Sequence, residues 1–132
     1  MRLYLDSSAI VKLVQTEPES SALRRYLRQH RADDKVTSEL ARVEVVRAVL
    51  PGGAPALGKA RRQLARFHQV SLTRDLLDAP ATLAPETLLR SLDAIHVASA
   101  QLAGGDLRAL VTYDERMVSA ARAAGIETAA PS

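Results

Sequence analysis

The sequence has 132 residues, 47% hydrophobic and 25% charged, a size and composition that suit one globular domain with a packed core. It contains no cysteine, which excludes disulfides and thiolate metal sites, so a metal would need oxygen ligands or one of the three histidines. Asp6 interrupts the first apolar run, and no stretch approaches the roughly 18 apolar residues of a membrane span. We therefore expect a cytoplasmic protein without a signal peptide or membrane contact.

The net charge of +3 and the sequence pI of about 9.7 point weakly to a polyanionic partner. With three Tyr, one Phe and no Trp, the chain has few platforms on which bases could stack, so phosphate contacts and shape should dominate any nucleic-acid binding. Two arginine-rich stretches, residues 24–31 and 59–66, are candidates for RNA phosphate contacts. Arginine is also an ordinary residue of exposed helix faces, and this simpler interpretation stays open.

Apolar residues recur at helical spacing in some segments and form short runs in others, and Gly or Pro separates many of them. Pro51-Gly52-Gly53 should end one helix and Gly104-Gly105 another, and Ser91 is the expected N-cap of the helix before the latter. The elements of the first half are a strand at Arg2–Leu5, a helix at Ser7–Val14, a helix at 19–29 after Pro18, a strand at 35–37 and a helix at 39–50. Those of the second half are a helix at 56–68, a strand at 70–72, helices at 76–83 and 91–103, a strand at 109–112, a helix at 115–124 and a strand at 126–128.

This alternation predicts a three-layer α/β/α fold with a small, mostly parallel central sheet. Ligands of such folds bind beyond the carboxyl ends of the strands. Asp6 follows the first predicted strand directly, and Asp114 follows a later one. Each could simply cap the next helix. The shared position nevertheless predicts that the two carboxylates lie at one edge of the sheet.

Two further acids lie in apolar helices. Glu44 is surrounded by valines, with an ion pair to Arg47 as the simpler interpretation of its role. Asp93 is in the first turn of a helix that is apolar on most faces, where it could merely complement the helix dipole. Because that helix should be buried, we expect Asp93 to point into a cleft.

The four acids together suggest a convergent carboxylate cluster. Crowded carboxylates repel one another, and a divalent cation relieves this repulsion, so without metal at least one carboxylate pKa should be raised. Carboxylate-bound Mg²⁺ serves phosphoryl chemistry by activating water and stabilising charge, with one ion or two.

Four segments resemble, in order, the motifs of PIN domains, and more narrowly those of VapC-type toxins of bacterial toxin–antitoxin pairs. They are DSSAIVKL at residues 6–13, ELARVEVVRA at 39–48, LDAIHVASA at 92–100 and VTYDERM at 111–117. The family's acids fall on Asp6, Glu44, Asp93 and Asp114. The resemblance implies a single PIN domain over residues 1–132 and a Mg²⁺-dependent endoribonuclease, with Mn²⁺ as an alternative ion. It also implies that the four acids are catalytic and ligate the metal.

The resemblance further implies a type II toxin that cleaves RNA by metal-activated water, forms a homodimer and is inhibited by a cognate antitoxin. A carboxylate cluster attracts guanidinium groups, so we expect the antitoxin to place an Arg or Lys near Asp6 and Asp93. The helices at residues 9–14 and 43–50 could offer it an apolar groove.

Other functions share parts of this pattern of residues. A non-catalytic PIN-like module that binds RNA or protein is the main alternative, although it would not need to crowd four carboxylates. A phosphate-receiver domain would need a lysine after the last strand, and none follows Lys59. A haloacid-dehalogenase-type phosphatase would need a second Asp where Ser8 stands.

Four polar residues near the acids have supporting roles at most. His96 is expected to be a packed histidine bonded to a carbonyl or carboxylate rather than a general base. Ser8 and Thr112 should hydrogen-bond the acids, and Glu115 should face solvent.

Overall fold

The computed structural model describes residues 1–81 and 90–132 and contains one five-stranded parallel sheet. Its strands are β1 (Arg2–Leu5), β2 (Asp34–Ser38), β3 (His68–Val70), β4 (Leu107–Val111) and β5 (Thr128–Ala129). Their order across the sheet is β3-β2-β1-β4-β5, and every neighbouring pair is parallel. The central position of β1 explains its uninterrupted apolar sequence, because a parallel sheet is covered on both faces.

Helices cover both faces of this sheet. They are α1 (Ser7–Val14), α2 (Ser20–Gln29), α3 (Ala41–Val49), α4 (Gly53–Leu64), α5 (Arg74–Ala81), α6 (Ser91–Gln101) and α7 (Glu115–Ala123), with single 3₁₀ turns at Leu50–Gly52 and Gly104–Asp106. Among the described residues, no helix is long and apolar enough to cross a membrane.

Side chains of β1 alternate between two apolar cores. Leu3 and Leu5 pack with α1, α3 and α4, whereas Tyr4 packs with α6 and α7. This alternation follows from the two-residue period of a strand. It produces two helical layers around one sheet, so the predicted α/β/α architecture is confirmed.

Several predicted boundaries are wrong by a few residues. The predicted helix over 56–68 is α4, which begins at Gly53 and ends at Leu64, and the predicted strand over 70–72 is β3 at His68–Val70. The turn after α4 comes early because Phe67 is buried and its backbone N–H donates to the Leu64 carbonyl at 3.1 Å. The chain then enters the sheet at His68, which pairs with Val36 of β2.

Other boundaries differ at helix ends and at the last strand. Arg90, in extended backbone, is the N-cap of α6, and Ser91 is its first helical residue rather than the cap. The last strand begins at Thr128 instead of residue 126, because Gly125 adopts a positive φ of 76° and Ile126 donates its N–H to Ala121 to close α7. Helix α5 begins two residues earlier than predicted, and residues 82–83 of that prediction lie outside the described residues.

Asp33 links the start of β2 to the centre of the sheet. Its carboxylate accepts hydrogen bonds from the Arg108 guanidinium on β4, one of them to Oδ1 at 3.3 Å, and pairs with the Met1 ammonium at 3.3 Å. The hydrogen bond from Arg108 lowers the pKa of Asp33 from its usual 3.8 to about 2. A depressed carboxyl pKa stabilises the fold above its usual value, and this contribution is lost as the pH falls towards 2.

We therefore expect Asp33→Asn to lower the free energy of unfolding at neutral pH. It should have little effect near pH 2, where the folded wild-type carboxyl is half protonated and most of its stabilisation is lost. Urea titrations across this pH range measure the difference. The control is Asp34→Asn, an exposed neighbour for which no ion pair is found among the described residues. A deficit for Asp33→Asn that stays the same at every pH would contradict the ion-pair explanation.

Candidate active site

Asp6 and Asp114 lie at the same edge of the sheet, as predicted. Asp6 follows β1 and donates its backbone N–H to the carbonyl of Val111, the last residue of the adjacent β4, at 3.2 Å. Each acid also caps the helix that follows it. Oδ1 of Asp6 accepts from the Ala9 N–H at 3.0 Å, and Oδ1 of Asp114 accepts from the Arg116 N–H at 2.9 Å. Since only one oxygen of each carboxylate makes the cap, the second oxygen is available for other contacts.

Two hydroxyl groups hold the buried carboxylate of Asp6. Ser8 Oγ donates to Oδ1 at 2.7 Å, and Thr112 Oγ1 donates to Oδ2 at 2.6 Å. Thr112 Oγ1 also accepts from the Asp114 N–H at 3.1 Å, so one side chain connects the two strand-end acids. The expected supporting roles of Ser8 and Thr112 are confirmed.

Burial raises the pKa of Asp6, and the hydrogen bonds from Ser8 and Thr112 act in the opposite direction. The sequence predicted a raised carboxylate pKa, and its direction is confirmed. Of the two causes expected from the sequence, the desolvation of a buried carboxylate is the largest contribution, and repulsion from the other acids is not among the main ones.

Glu44 makes long-range contacts instead of an ion pair with Arg47. Its Oε1 accepts from His96 Nε2 at 2.7 Å and from Ser7 Oγ at 2.8 Å. Burial acts to raise the pKa of Glu44. The hydrogen bond and the charge of His96, followed by the hydrogen bond from Ser7 and the charge of Arg90, outweigh burial, and the pKa is lowered. Glu44 is therefore held as a carboxylate at the start of α3.

His96 is buried between Glu44 and Tyr4, which confirms its expected role as a packed histidine bonded to a carboxylate. The Tyr4 hydroxyl lies 2.7 Å from His96 Nδ1, and burial raises the pKa of this phenol well above its usual range. Because a carboxylate can only accept, His96 Nε2 must carry the proton. The Tyr4 hydroxyl donates to Nδ1 when that nitrogen is unprotonated and accepts from it when it carries a proton, so the imidazole satisfies both partners in either state.

Arg90 connects the two remaining acids. Its Nε donates to Asp93 Oδ2 at 3.1 Å, and its Nη2 lies 3.6 Å from Asp114 Oδ2. Asp93 itself is buried at the start of α6, as predicted, whereas the Arg90 side chain is 67% exposed. The hydrogen bond to Asp93 and the charges of Asp114 and Glu44 raise the pKa of Arg90. The Arg90 guanidinium thus occupies a position between Asp93 and Asp114 at which these acids could bind a cation.

The acids are connected in pairs through intervening side chains and do not form a complete metal-coordination shell. Asp6 is linked to Asp114 through Thr112, and Asp114 to Asp93 through Arg90, while Glu44 reaches the group through the charge of Arg90. Within residues 1–81 and 90–132, no three His, Asp or Glu side chains are placed closely enough to hold one metal ion as they stand. The donor chemistry still fits a hard divalent cation, because all four groups offer carboxylate oxygen.

Three contributing residues were not singled out from the sequence. Arg90 precedes Asp93 by three positions, a spacing at which opposite charges on a helix pair, so a local signal existed. Tyr4 and Ser7 carried no such signal, because their partner His96 is about 90 residues away in sequence. Glu115 is exposed, as expected.

A family model for the PIN domain matches residues 3–123 of the chain. Ribonuclease VapC46 of Mycobacterium tuberculosis (strain ATCC 25618 / H37Rv) is 51% identical over 130 residues, which cover 98% of this chain and 98% of that protein. Ribonuclease VapC47 of strain CDC 1551 / Oshkosh is 41% identical over 132 residues, covering 98% of this chain and 96% of that protein. Both relatives therefore align with almost the entire chain.

Solved structures share the fold at lower sequence identity. VapC20 of Mycobacterium tuberculosis, described as a sarcin-ricin loop cleaving toxin, has a TM-score of 0.75 at 18% identity and covers 98% of this chain and 99% of its own. VapBC2 from Rickettsia felis, bound to a DNA fragment from its promoter, has a TM-score of 0.75 at 14% identity and covers 98% of each chain. These likenesses confirm the architecture of the sheet and its helices.

Thr112 provides a test of the connection between Asp6 and Asp114. We expect Thr112→Val to lower the free energy of unfolding by about 1–3 kcal/mol, because it removes a hydroxyl donor from a buried carboxylate. The loss should be larger at neutral than at acid pH, since the ionised carboxylate has the greater need of the donor. Thr112→Ser keeps the hydroxyl and should lose less. Chemical denaturation of both variants measures this, and equal losses would assign the effect to packing.

Proposed function

The chain belongs to the PIN-domain family, and from this premise we propose that it is a VapC-type ribonuclease that hydrolyses RNA phosphodiester bonds with a divalent cation. We take residues 1–132 as a single PIN domain. The observation that supports the activity most directly is the set of four acids, Asp6, Glu44, Asp93 and Asp114, connected at the carboxyl end of the sheet. In parallel α/β folds this edge is the usual place for a catalytic site.

We propose that Asp6, Asp93, Asp114 and Glu44 hold Mg²⁺ or Mn²⁺. When bound, such an ion lowers the pKa of water and stabilises charge on phosphate and leaving oxygens. Asp6 Oδ1 already accepts two hydrogen bonds, whereas Oδ2 accepts only that of Thr112 and retains a lone pair. Asp6 would therefore bind through Oδ2, while Ser8 and Ala9 fix the orientation of its carboxylate.

His96 and Tyr4 support this activity by fixing Glu44. Nδ1 is held by the Tyr4 hydroxyl, the Nε2–H of the imidazole donates to Glu44 Oε1, and Ser7 donates to the same oxygen. The second oxygen, Oε2, would then be the one left to hold a cation or its water. His96 needs no proton transfer of its own in this arrangement.

The same site suggests how an antitoxin could inhibit the enzyme. Arg90 shows that the acids accept a guanidinium, and we propose that a cognate antitoxin places an Arg or Lys near Asp6 and Asp93. An apolar segment of the antitoxin could dock on α3 and the turn after it, where Val43 and Leu50 are 57% and 50% exposed. Of residues 9–14, which were also expected to line this groove, Ala9, Ile10, Leu13 and Val14 are buried, so Val11 would be the main apolar contribution of that helix.

We further propose that the protein forms a homodimer.

A non-catalytic PIN-like module remains the alternative function. It is less well supported, because three separate hydrogen-bonding groups orient Asp6, whose burial would be an unexplained cost in a simple binding module.

Asp6→Asn tests the activity. We expect it to remain folded by circular dichroism and to lose cleavage of single-stranded RNA by roughly 100-fold or more in Mg²⁺, because it weakens electrostatic stabilisation at the reacting phosphate. EDTA should have the same effect on the wild type. Glu115→Gln removes one negative charge at an exposed position next to Asp114 and should cleave normally. Wild-type cleavage by Asp6→Asn would show that the site assignment is wrong.

Arg90→Gln tests metal binding without relying on activity. The Arg90 guanidinium and a divalent cation would compete for Asp93 and Asp114. At subsaturating Mg²⁺ we expect the variant to show a larger rise in melting temperature than the wild type, by mass action. Without metal it should melt lower, because Asp93 and Asp114 lose their cation. Arg116→Gln, an exposed neighbour of Asp114, is the control, and equal responses of Arg90→Gln and wild type to Mg²⁺ would rule out the competition.

A further inference from the structure

A basic cavity lies in the helical layer formed by α1, α2 and α4. It has a volume of about 280 Å³, and the cationic side chains that line it are those of Arg24, Arg28, Arg31, Lys35 and Arg66. Its remaining lining consists of two leucines and one glutamine, and no carboxylate of the described residues contributes to it. The two arginine-rich stretches of the sequence, together with a lysine of β2, therefore meet around one concave surface.

The basic cavity is remote from the four acids along the strand direction. Lys35 pairs in register with Leu3 of β1, three residues before Asp6, which corresponds to about 10 Å of strand. Leu13, which also lines the cavity, is near the end of α1, whereas Asp6 caps the beginning of that helix. The cavity thus opens towards the amino-terminal end of the sheet and shares no residue with the candidate active site.

The five cations of the cavity lack negative partners. Among residues 1–81 and 90–132, none of them forms an ion pair, whereas Lys12, Arg90 and Arg108 all do. A favourable helix dipole accounts for Arg28 and Arg66, which lie near the ends of α2 and α4. Arg24 Nη2 donates to the Leu13 carbonyl in the last turn of α1 at 3.5 Å, so the dipole of that helix accounts for Arg24 as well. No helix dipole accounts for Lys35, which lies on a strand. Five like charges around one concavity favour a ligand that carries several negative charges.

We propose that the basic cavity is a second RNA-contact site, which binds backbone phosphates several nucleotides from the scissile bond. The proposal rests on the proposed ribonuclease function, because it takes RNA as the ligand. Guanidinium groups pair bidentately with phosphate, and four of the five cations are arginines. Contacts of this kind are independent of base identity, in agreement with the scarcity of aromatic residues.

The chain offers a matched pair of variants for the test. The double variant Arg28→Ala/Arg66→Ala removes two charges from the cavity lining. The control, Arg25→Ala/Arg62→Ala, removes two exposed charges from α2 and α4 that do not line the cavity. The affinity of each protein for a labelled single-stranded RNA is measured by fluorescence anisotropy at several salt concentrations, in EDTA so that no cleavage occurs. Each lost phosphate contact should reduce the slope of log Kd against log salt concentration by about 0.7.

For Arg28→Ala/Arg66→Ala we expect a slope lower by about 1.4 and roughly tenfold weaker binding near physiological salt. The control pair should stay close to wild type. Equal slopes for the two double variants would overturn the proposal, as would a difference seen with polyglutamate but not with RNA, which would assign the cavity to an acidic protein.

Cleavage separates this proposal from the function on which it rests. In Mg²⁺, the cavity variant should have a raised KM for the long RNA and unchanged turnover of a dinucleotide, which is too short to reach both sites. If the wild type cleaves RNA but the two double variants have equal slopes, the second site is wrong and the ribonuclease function stands. If the wild type cleaves no RNA while the slopes differ as expected, the basic cavity is an RNA-binding site and the ribonuclease function is wrong.

Discussion

The burial of the Asp6 carboxylate is the constraint around which the sheet and the site are arranged. An ionised carboxylate without partners in an apolar interior is strongly unfavourable, and Asp6 lies at the junction of β1, β4 and α1 with 2% of its surface exposed. Two of the compensating donors, the Ala9 N–H and the Ser8 hydroxyl, belong to α1, and the third, the Thr112 hydroxyl, follows β4 directly. Correct pairing of β1 with β4 is therefore also what completes the polar shell of the first acid. The pKa of Asp6 nevertheless stays raised, because these hydrogen bonds compensate only part of the cost of burying the carboxylate. Additional positive charge at this edge of the sheet would therefore be stabilising.

Arg90 supplies positive charge to the other three acids of this edge, although not to Asp6 itself. It pairs with Asp93 and Asp114, and its charge lowers the pKa of Glu44, so a single exposed guanidinium influences three of the four acids. The cost of this arrangement is small because the side chain is mostly solvated and loses little hydration. Being weakly held, the guanidinium can yield to a divalent ion or to a cation from a partner. If the acids bind a divalent ion as proposed, competition among cations would govern access to them.

The sequence was sufficient for the architecture and for the edge at which the acids gather, because both follow from local patterns. Strand and helix periodicity predicted the α/β/α layers, and the positions of Asp6 and Asp114 after strands predicted their common edge. Contacts between distant residues could not be read in this way. Glu44 could have paired with Arg47, one turn away, but it bonds His96, which is 52 residues distant and reaches it only because α6 packs against the sheet. The predicted bounds of the short strand β3 were wrong for a similar reason, because its register depends on its pairing with β2 rather than on its own composition.

A parallel sheet with returning helices also separates charge along the strand direction. Helices α1 and α7 begin at the carboxyl edge, where their N-termini are capped by Asp6 and Asp114, while α2 and α4 end towards the other edge, where Arg28, Arg31 and Arg66 gather. Helix dipoles favour acids at the first edge and bases at the second. A polyanion would therefore meet repulsion at the acids until a cation is bound there, and attraction at the basic cavity regardless of metal. Under the proposed function, RNA binding should therefore depend mainly on salt concentration, and RNA cleavage should depend mainly on divalent metal.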